Sequence, residues 1–418
     1  MGFAVLNPPL IVGYVCKYFI FKAKLSGGNM SSIYNCTGHS LQISNIVNSE
    51  GIYLFDDKGK RYMDLESGVW CTSLGHKNIR INTLIKKQID SIMHAGFSYS
   101  NSILEESAES VLSITNFKEG KCVFLCSGSE SIELARQISK HVTKKKMSMT
   151  LHDSYLGSYS SVTDRSENWY IFNWENCMFC PDKENCKTNC EELQKIPDDV
   201  SEFIFEPGSS SGFVRFPPKS LIQNIVNVVR EHGGKIIANE VTTGIGRTGK
   251  WFGHNHYQIE PDMIAIGKGV GNGYPVSITV INRQTIDQLE KNAFKYMQSH
   301  QNDPLGAAIV NEVIKIIKDD DLISKAEIKG TKFLEMLQTL KDDINIIDIR
   351  GRGLMFAIDI CDENTGDSIF KKLIDKGYII CNRKSLFRID PPLSVNEDEF
   401  GFFIRDFRKI LKSQRNDT

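Results

Sequence analysis

Short apolar runs alternate with amphipathic stretches through the middle of the chain. Residues 121–143 read KCVFLCSGSESIELARQISKHVT, which predicts a buried strand, a turn of small residues and a helix with apolar positions three and four apart. The runs SEFIFEPG, KIIANE and DMIAIGKG predict three more buried strands, and KSLIQNIVNVVREHGG predicts an amphipathic helix that ends at glycine. This alternation predicts an α/β fold with a mostly parallel sheet covered by helices.

Both ends of the chain follow different patterns. Residues 51–76 alternate apolar and polar positions around DDKGK, which predicts a hairpin with a tight turn. After about residue 305 the pattern predicts two long helices and then a mixed α/β tail. We therefore expect a large domain over residues 81–305 and a smaller α/β domain that residues 30–80 and 306–418 build together.

The first 29 residues do not match the rest of the chain. The run FAVLNPPLIVGYVCKYFIF is apolar but is interrupted by a proline pair, a glycine and a lysine, so it predicts neither a membrane span nor a signal peptide. The following SGGNM can be encoded by codons that contain a ribosome-binding sequence just before Met30. We expect Met30 to be the start and residues 1–29 to be a translated leader that is non-native or disordered.

Charge and cysteine content narrow the class of protein. The formal net charge is −1, which argues against a nucleic-acid or membrane surface. The eleven cysteines are an odd number and most stand singly in apolar strands, which argues against a secreted disulfide scaffold. We expect a cytoplasmic protein with no nucleic-acid and no membrane partner.

Ligands of doubly wound sheets bind outside the carboxyl ends of the strands, so the residues directly after each strand are the chemical candidates. Gly128 and Ser129 open a helix whose first N–H groups suit an anion, although a purely structural turn is the alternative. Lys268 follows a buried strand, where desolvation would lower the pKa of its amine and prepare it to attack a carbonyl. A lysine that extends out of a loop is the alternative. Together with the polar Asn239 at another strand end, these are the parts of a pyridoxal-phosphate site.

The segments NEVTTGIGRTGKWFG and PDMIAIGKGVGNGYPVS resemble the signature of class-III aminotransferases of the ornithine, acetylornithine and 4-aminobutyrate type. GIYLFDDKGKRYMDLESG, SLGH, CSGSESIELAR, NDPLGAA, RGRGLMFAI and FRIDPPL extend the resemblance over nearly all of residues 40–400. The resemblance implies a fold-type-I pyridoxal-phosphate-dependent transferase whose large domain has a seven-stranded, mostly parallel sheet. It also implies transfer of an amino group from an amino acid or ω-amine to a 2-oxo acid, in a homodimer with a shared active site.

Matching the motifs residue by residue assigns the cofactor site. Lys268 matches the Schiff-base lysine, and Gly128 and Ser129 match positions that bind the cofactor phosphate. Tyr155 matches the aromatic residue that stacks on the pyridine ring. Leu156 stands where the family usually has histidine, so one polar contact is missing.

Further matches concern the cofactor's phenolic oxygen, the neighbouring subunit and the substrate. Thr242 matches a glutamine near the phenolic oxygen, and Ser299 matches a threonine that reaches the phosphate in the neighbouring subunit. Arg388 matches the arginine that holds a substrate α-carboxylate, and Trp70 is expected in the pocket or in the core. The acidic residue that pairs with this arginine in some relatives is absent. The segment after Glu206 is shortened to GSSSG, so the resemblance does not determine the substrate.

Asn239 departs from the family, which has an aspartate there that keeps the pyridine nitrogen protonated. A neutral amide offers a hydrogen bond to that nitrogen but no charge to stabilise its proton, so we expect slower removal of the substrate Cα proton. Three functions stay open at this point. They are a working aminotransferase with other compensations, a racemase or epimerase, and a cofactor-binding protein of low activity.

An insertion at residues 174–190 carries Cys177, Cys180, Cys186 and Cys190 with the spacing C-x2-C-x5-C-x3-C. Four thiolates so placed suit zinc or an iron–sulfur cluster, and the alternative is a polar surface insertion that binds nothing. The resemblance adds that some relatives carry a similar insertion and that an iron–sulfur centre is known in the family. We predict a metal with a role in folding or dimer contact rather than in catalysis.

Overall fold

A computed structural model describes residues 32–34, 36, 41–209 and 213–417. Two of the predictions lie outside these ranges. One is the leader at residues 1–29 with its proposed start at Met30. The other is most of the shortened GSSSG segment, residues 210–212.

Strands and helices alternate along the described chain. The strands are β1 Ile46–Glu50, β2 Tyr53–Asp56, β3 Arg61–Asp64, β4 Lys121–Leu125, β5 Met147–Leu151, β6 Trp169–Phe172, β7 Val200–Phe205, β8 Lys235–Glu240, β9 Met263–Ile266, β10 Ser277–Ile281, β11 Ile346–Arg352, β12 Met355–Ile360, β13 Tyr378–Ile379, β14 Cys381–Arg383 and β15 Leu386–Ile389. The helical segments are α1 Ser67–Trp70, α2 Ile79–Ile89, α3 Ser102–Thr115, α4 Gly128–Thr143, α5 Ser160–Thr163, α6 Glu191–Gln194, α7 Lys219–Glu231, α8 Arg283–Lys291, α9 Pro304–Asp319, α10 Leu322–Gln338, α11 Glu363–Lys376 and α12 Glu397–Asp417. Single 3-10 turns lie at Glu175–Met178, Lys183–Asn185, Gly253–His256 and Lys268–Gly271.

The largest sheet has seven strands in the order β4-β10-β9-β8-β7-β5-β6. The pairs among β5 to β9 are parallel, and only β10 runs antiparallel to its neighbours β4 and β9. The prediction of an α/β fold built on a mostly parallel sheet is therefore confirmed. In the register of β8 and β9, Asn239 lies opposite Ala265, so the ends of these two strands reach the same edge.

Both faces of this sheet are covered, which explains why the central strands read as continuous apolar runs. Every residue of β7 and β8 is buried. Phe203 and Phe205 pack with the apolar face of α7, whereas Ile204 and Ile237 pack on the other face with α4. Each such side chain contributes roughly 1.5–3 kcal/mol when it is fully buried.

Two four-stranded sheets lie outside the large one, in the orders β1-β2-β3-β13 and β11-β12-β15-β14. In the first of them β13, from late in the chain, pairs in parallel with β3, and Tyr378 lies opposite Met63. Residues from both ends of the chain thus share one sheet, as the smaller domain requires. The domain boundaries at residues 80 and 305 stay a prediction.

The cysteine-rich insertion follows β6 and forms two 3-10 turns instead of a strand or a long helix. Cys177, Cys186 and Cys190 are partly buried against the apolar cluster around α7, and Cys180 is exposed. Within the described ranges, no helix combines the length and the apolar character needed to cross a membrane.

Candidate active site

The carboxyl ends of β4, β8 and β9 open onto one cleft of about 350 Å³. The residues that line it come from five parts of the chain. They are Cys71, residues 126–129 with Ile132, residues 155–157, Asn239 with Val241 and Thr242, and Lys268 with residues 273–276. Six of the predicted site residues meet here: Gly128, Ser129, Tyr155, Asn239, Thr242 and Lys268.

The start of α4 forms one end of the cleft. Ser127 caps the helix, because its hydroxyl accepts the N–H of Glu130 at 3.3 Å while the Glu130 carboxylate accepts the N–H of Cys126 at 2.7 Å. The first N–H groups of a helix have no intrahelical partner and carry the positive end of its dipole, so Gly128 and Ser129 offer donors to an anion. Gly128 also has no room for a side chain, because a Cβ there would lie 2.5 Å from Cγ1 of Val241.

The segment after β5 forms a second wall. Tyr155 is 44% exposed and its backbone N–H donates to the buried carboxylate of Glu206 at 2.8 Å. Gly157 has φ +112°, and a Cβ there would lie 2.7 Å from Oγ of Ser129. The N–H of Ser158 donates to that same hydroxyl at 3.1 Å. The aromatic wall is therefore fixed directly against the start of α4.

Lys268 follows β9 and has a left-handed backbone with φ 48°. Its Nζ donates to Oγ1 of Thr242 at 3.1 Å and lies 4.7 Å from the centre of the Trp70 ring. Burial lowers the pKa of the Lys268 amine, and the negative charges of Cys71 and Glu206 only partly oppose this effect. A larger fraction of neutral, nucleophilic amine follows at neutral pH.

Trp70 belongs to a small buried apolar cluster next to Lys268 and is not among the residues that line the cleft. The turn α1 that carries it is left-handed, with φ between 50° at Ser67 and 64° at Trp70. Such a backbone costs roughly 1–2 kcal/mol for each residue other than glycine, so tertiary contacts must hold it. The hydroxyl of Ser67 donates to the carbonyl of Asp390 at 2.5 Å, and the N–H of Gly68 donates to the Asp64 carboxylate at 2.8 Å.

Arg388 also lies over the Trp70 ring, with its guanidinium carbon 3.6 Å from the ring centre. Its Nε donates to Asp390 at 2.9 Å and its Nη2 lies 3.3 Å from the Glu66 carboxylate. Burial raises the pKa of Glu66, and the charge of Arg388 opposes that rise. The acidic residue that some relatives use is absent here, but two carboxylates from other positions pair with this arginine.

Asn239 is 3% exposed, and two backbone groups determine how its amide is turned. Its Nδ2 donates to the carbonyl of Tyr155 at 2.8 Å, and its Oδ1 accepts the N–H of Val241 at 3.3 Å. A carbonyl only accepts and an N–H only donates, so the two ends of the amide are assigned without ambiguity. Aspartate at this position could not make the bond to Tyr155.

Ser299 does not join the cleft of its own chain. It is exposed in a turn that precedes α9. Its predicted contact with the phosphate in a neighbouring subunit is not tested by the single chain.

One family of known proteins matches almost the whole chain. The model of the family described as Aminotransferase class-III matches residues 34–411. The chain belongs to the class-III aminotransferases. The predicted family, and with it the prediction of a pyridoxal-phosphate-dependent aminotransferase, is confirmed.

Three known proteins show how far the similarity of this class-III aminotransferase extends. The acetylornithine aminotransferase of Bacillus subtilis is 28% identical over 391 residues, which cover 91% of this chain and 98% of that protein. The leucine/methionine racemase of Thermococcus litoralis is 27% identical and covers 84% of this chain and 87% of its own. The taurine:2-oxoglutarate aminotransferase of Bifidobacterium kashiwanohense, solved with PLP and glutamate, has a TM-score of 0.84 at 21% identity, over 92% of this chain and 95% of that one.

The residues of the cleft fit the cofactor that the family implies. The donor set combines a buried amine, an aromatic wall and a helix start at which a side chain on Gly128 would have no room. Sequence reasoning missed Cys71, which lines the cleft, and the partners Glu66 and Asp390 of the arginine. Glu66 and Asp390 stand inside the quoted segments GIYLFDDKGKRYMDLESG and FRIDPPL, so the motifs contained them but gave no sign of their pairing.

The four cysteines of the insertion are free thiols. Burial and the neighbouring thiols together raise the pKa of Cys177 to about 11. They are not among the described groups in which three metal-binding atoms come within 4.8 Å of one another. The predicted metal at the insertion is therefore not supported by the donor geometry.

Proposed function

We propose that this aminotransferase moves an amino group from an amine donor to a 2-oxo acid, with pyridoxal phosphate bound covalently at Lys268. One observation supports this assignment above all. The buried amine of Lys268 and the anion-binding start of α4 face a single cleft that Tyr155 closes on one side. A lysine that extends out of a loop would not show this burial.

Pyridoxal phosphate supplies an aldehyde that condenses with amines and a ring that withdraws electrons from the substrate Cα. The N–H groups of Gly128 and Ser129 would hold its phosphate, and the Tyr155 ring would cover its pyridine face. Thr242, whose Oγ1 accepts from Lys268, would donate to an oxygen of the ring. These contacts orient the group and exclude water from one face.

Lys268 is the proton carrier in this proposal. With a donor in the site, its Nζ would take the proton from the substrate Cα and return it at C4′ of the cofactor. The lowered pKa favours the neutral form of Nζ, which is the form that can accept that proton. Thr242 and the Trp70 ring would limit where Nζ moves.

Arg388 would bind a carboxylate of donor or acceptor, because its planar guanidinium suits two parallel hydrogen bonds. A substrate carboxylate has to compete with Glu66, whose contact at 3.3 Å is longer than that of the fully buried Asp390 at 2.9 Å. An amine without a carboxylate would leave the pair of Arg388 and Glu66 in place. Both α-amino acids and ω-amines therefore belong in the test.

We further place the active enzyme in a cytoplasmic homodimer. The exposed turn with Ser299 would complete the phosphate site of the partner copy. All ten cysteines of the described ranges are free, which fits a reducing compartment.

The metal at the cysteine insertion also stays a prediction, supported by spacing alone. A zinc ion or an iron–sulfur cluster would require Cys177, Cys180, Cys186 and Cys190 to move closer together. Metal analysis of the wild type beside Cys180→Ser would test it, because a bound metal should be lost from the variant.

A screen of amine donors tests the proposed activity. Purified enzyme with pyridoxal phosphate is mixed with single α-amino acids and ω-amines, and the cofactor spectrum is followed for conversion to pyridoxamine phosphate. We expect conversion with at least one donor and its reversal by 2-oxoglutarate or pyruvate. Enantiomer exchange without an oxo acid would indicate a racemase. A bound cofactor that no donor converts would contradict the proposal.

A further inference from the structure

Two histidines and one aspartate converge beside the cleft without any part in the amino-group chemistry. His94 follows α2, while His300 and Asp303 lie in the turn before α9. One ligand atom from each of the three residues lies within 4.8 Å of the other two. In the described part of the chain, no other group of three metal-binding side chains meets that distance.

We propose that His94, His300 and Asp303 form a binding site for a divalent transition-metal ion, with zinc as the best fit. Nδ1 of His300 lies 3.4 Å and Nδ1 of His94 lies 3.9 Å from the same oxygen, Oδ2 of Asp303. Zinc binds nitrogen and oxygen at about 2.0–2.2 Å, so two ligands of a tetrahedral site are roughly 3.4 Å apart. Both nitrogen–oxygen distances are therefore within about 0.5 Å of that spacing, and all three ligand atoms lie within 4.8 Å of one another.

The carboxylate of Asp303 is oriented for this role. Its other oxygen, Oδ1, accepts the N–H of Leu305 at 3.3 Å and caps α9. Oδ2 is thereby directed toward both imidazoles. A ligand held by a second hydrogen bond in this way loses less freedom when a metal binds.

The two imidazoles also favour a cation between them. Their ring centres are 4.7 Å apart with the planes tilted by 44°. Imidazole binds a metal through a ring nitrogen, and each ring here has one nitrogen close to the Asp303 carboxylate. Two histidines and a carboxylate leave one position of a tetrahedral ion open to water.

The site would fix the turn that carries Ser299. The backbone N–H of Asn302 donates to the carbonyl of Phe124 at 2.9 Å, and the side chain of Asn302 accepts the N–H of Phe124 at 3.0 Å. Phe124 lies in β4, three residues before Ser127. A metal at His94 and His300 would join this turn to the segment after α2, so it would stabilise the folded protein.

The test measures zinc binding to the holoenzyme by equilibrium dialysis and by the rise in Tm on adding zinc. We expect His94→Ala and His300→Ala each to weaken binding of one zinc ion by at least about tenfold and to remove its effect on Tm. Both variants leave the helix cap of Asp303 in place, so they should fold. His232→Ala is the matched control, because His232 forms an exposed pair with Asp198 at 3.1 Å that involves no second imidazole.

Cys180→Ser is measured alongside, since the cysteine insertion is the competing place for zinc. Zinc that is lost from both histidine variants but kept by His232→Ala and Cys180→Ser supports the site. Equal affinity in wild type and both histidine variants would overturn it. So would zinc binding that disappears only in Cys180→Ser, or wild-type protein that binds no zinc at micromolar concentrations.

Discussion

At the scale of single residues, Asn239 is the position where this chain departs most clearly from its family. The motif alone predicted an amide at the pyridine end of the site, and the structure adds its orientation. Nδ2 is bound to the Tyr155 carbonyl, so the amide has a structural role that aspartate could not fill. The substitution therefore changes both the chemistry and the local hydrogen bonding.

Asn239→Asp should raise the rate of the first half-reaction. A carboxylate would stabilise a proton on the pyridine nitrogen, and one unit of pKa corresponds to about 1.4 kcal/mol, or roughly a tenfold change in rate. The variant loses the bond to Tyr155, so its cofactor-free form should have a lower Tm. Stopped-flow spectra with the best donor measure the rate. An unchanged or lower rate in folded, cofactor-loaded protein would refute this role for Asn239.

The amine of Lys268 leads to a prediction of how the stability of the protein depends on pH. Burial holds the pKa of its amine below the usual 10.5. Between the lowered pKa of the folded protein and the usual value of the unfolded chain, the unfolded chain binds more protons than the folded one. The stability of the cofactor-free protein therefore rises with pH in that window. Lys268→Met removes the buried amine, and we expect the variant to be the more stable of the two at neutral pH.

That difference should shrink as the pH rises through 10.5, because the wild-type amine is neutral in both states only above that value. Urea unfolding of both cofactor-free proteins, from neutral to alkaline pH, measures this difference in the free energy of unfolding. Comparing the two proteins removes the contributions of all other groups. A difference that stays constant with pH would show that the amine is not destabilised by burial.

At the scale of elements, continuous apolar runs and helical spacing were sufficient to predict β4, β7, β8, β9, α4 and α7. The left-handed turn α1 could not be predicted, because no local preference of Val69 or Trp70 favours positive φ. Contacts with Asp64 and Asp390 impose it. The sequence therefore left Trp70 between pocket and core. In the structure it is buried in an apolar cluster beside Lys268, and its contact with substrate stays a prediction.

The glycine at the start of α4 leads to a prediction about cofactor binding and stability. Gly128→Ala would bring a Cβ to 2.5 Å from Val241, so the first turn of the helix must shift. We expect roughly tenfold weaker binding of pyridoxal phosphate and a loss of about 1–3 kcal/mol in stability. Cofactor fluorescence and urea unfolding measure the two effects.

Gly401→Ala in α12 is the matched control, because a Cβ there meets only Met336 at 3.8 Å. It should bind the cofactor as the wild type does and unfold at the same or slightly higher urea concentration. If Gly128→Ala also matched the wild type in cofactor affinity, the start of α4 would not be the phosphate site.

At the scale of the whole molecule, the sequence predicted that both chain ends join in one smaller unit, and β3 and β13 do pair. The sequence did not predict the partners of Arg388. Glu66 lies 322 residues away along the chain, and only the folded structure brings the two together. Sequence patterns in one chain do not reveal contacts between subunits. The role of Ser299 therefore stays a prediction.

Mixed dimers test that role. Lys268→Ala removes the amine, and Ser299→Asp places a negative charge where the partner's phosphate is proposed to bind. If Ser299 acts in the partner copy, a dimer with one chain of each kind has one intact site, so co-expression should restore activity that neither variant has alone. Gel filtration confirms that both variants form dimers. Mixed dimers without activity would place Ser299 in its own chain's site, and full activity of Ser299→Asp alone would show that Ser299 acts in neither site.

The covalent attachment of pyridoxal phosphate to Lys268 is the claim on which the rest of this account depends. Holoenzyme is reduced with borohydride, digested and mapped by mass spectrometry, with Lys268→Ala treated in the same way. We predict a phosphopyridoxyl group on the peptide that contains Lys268 and none at the corresponding place in the variant. An unmodified Lys268 peptide from protein that has retained its cofactor would contradict the account.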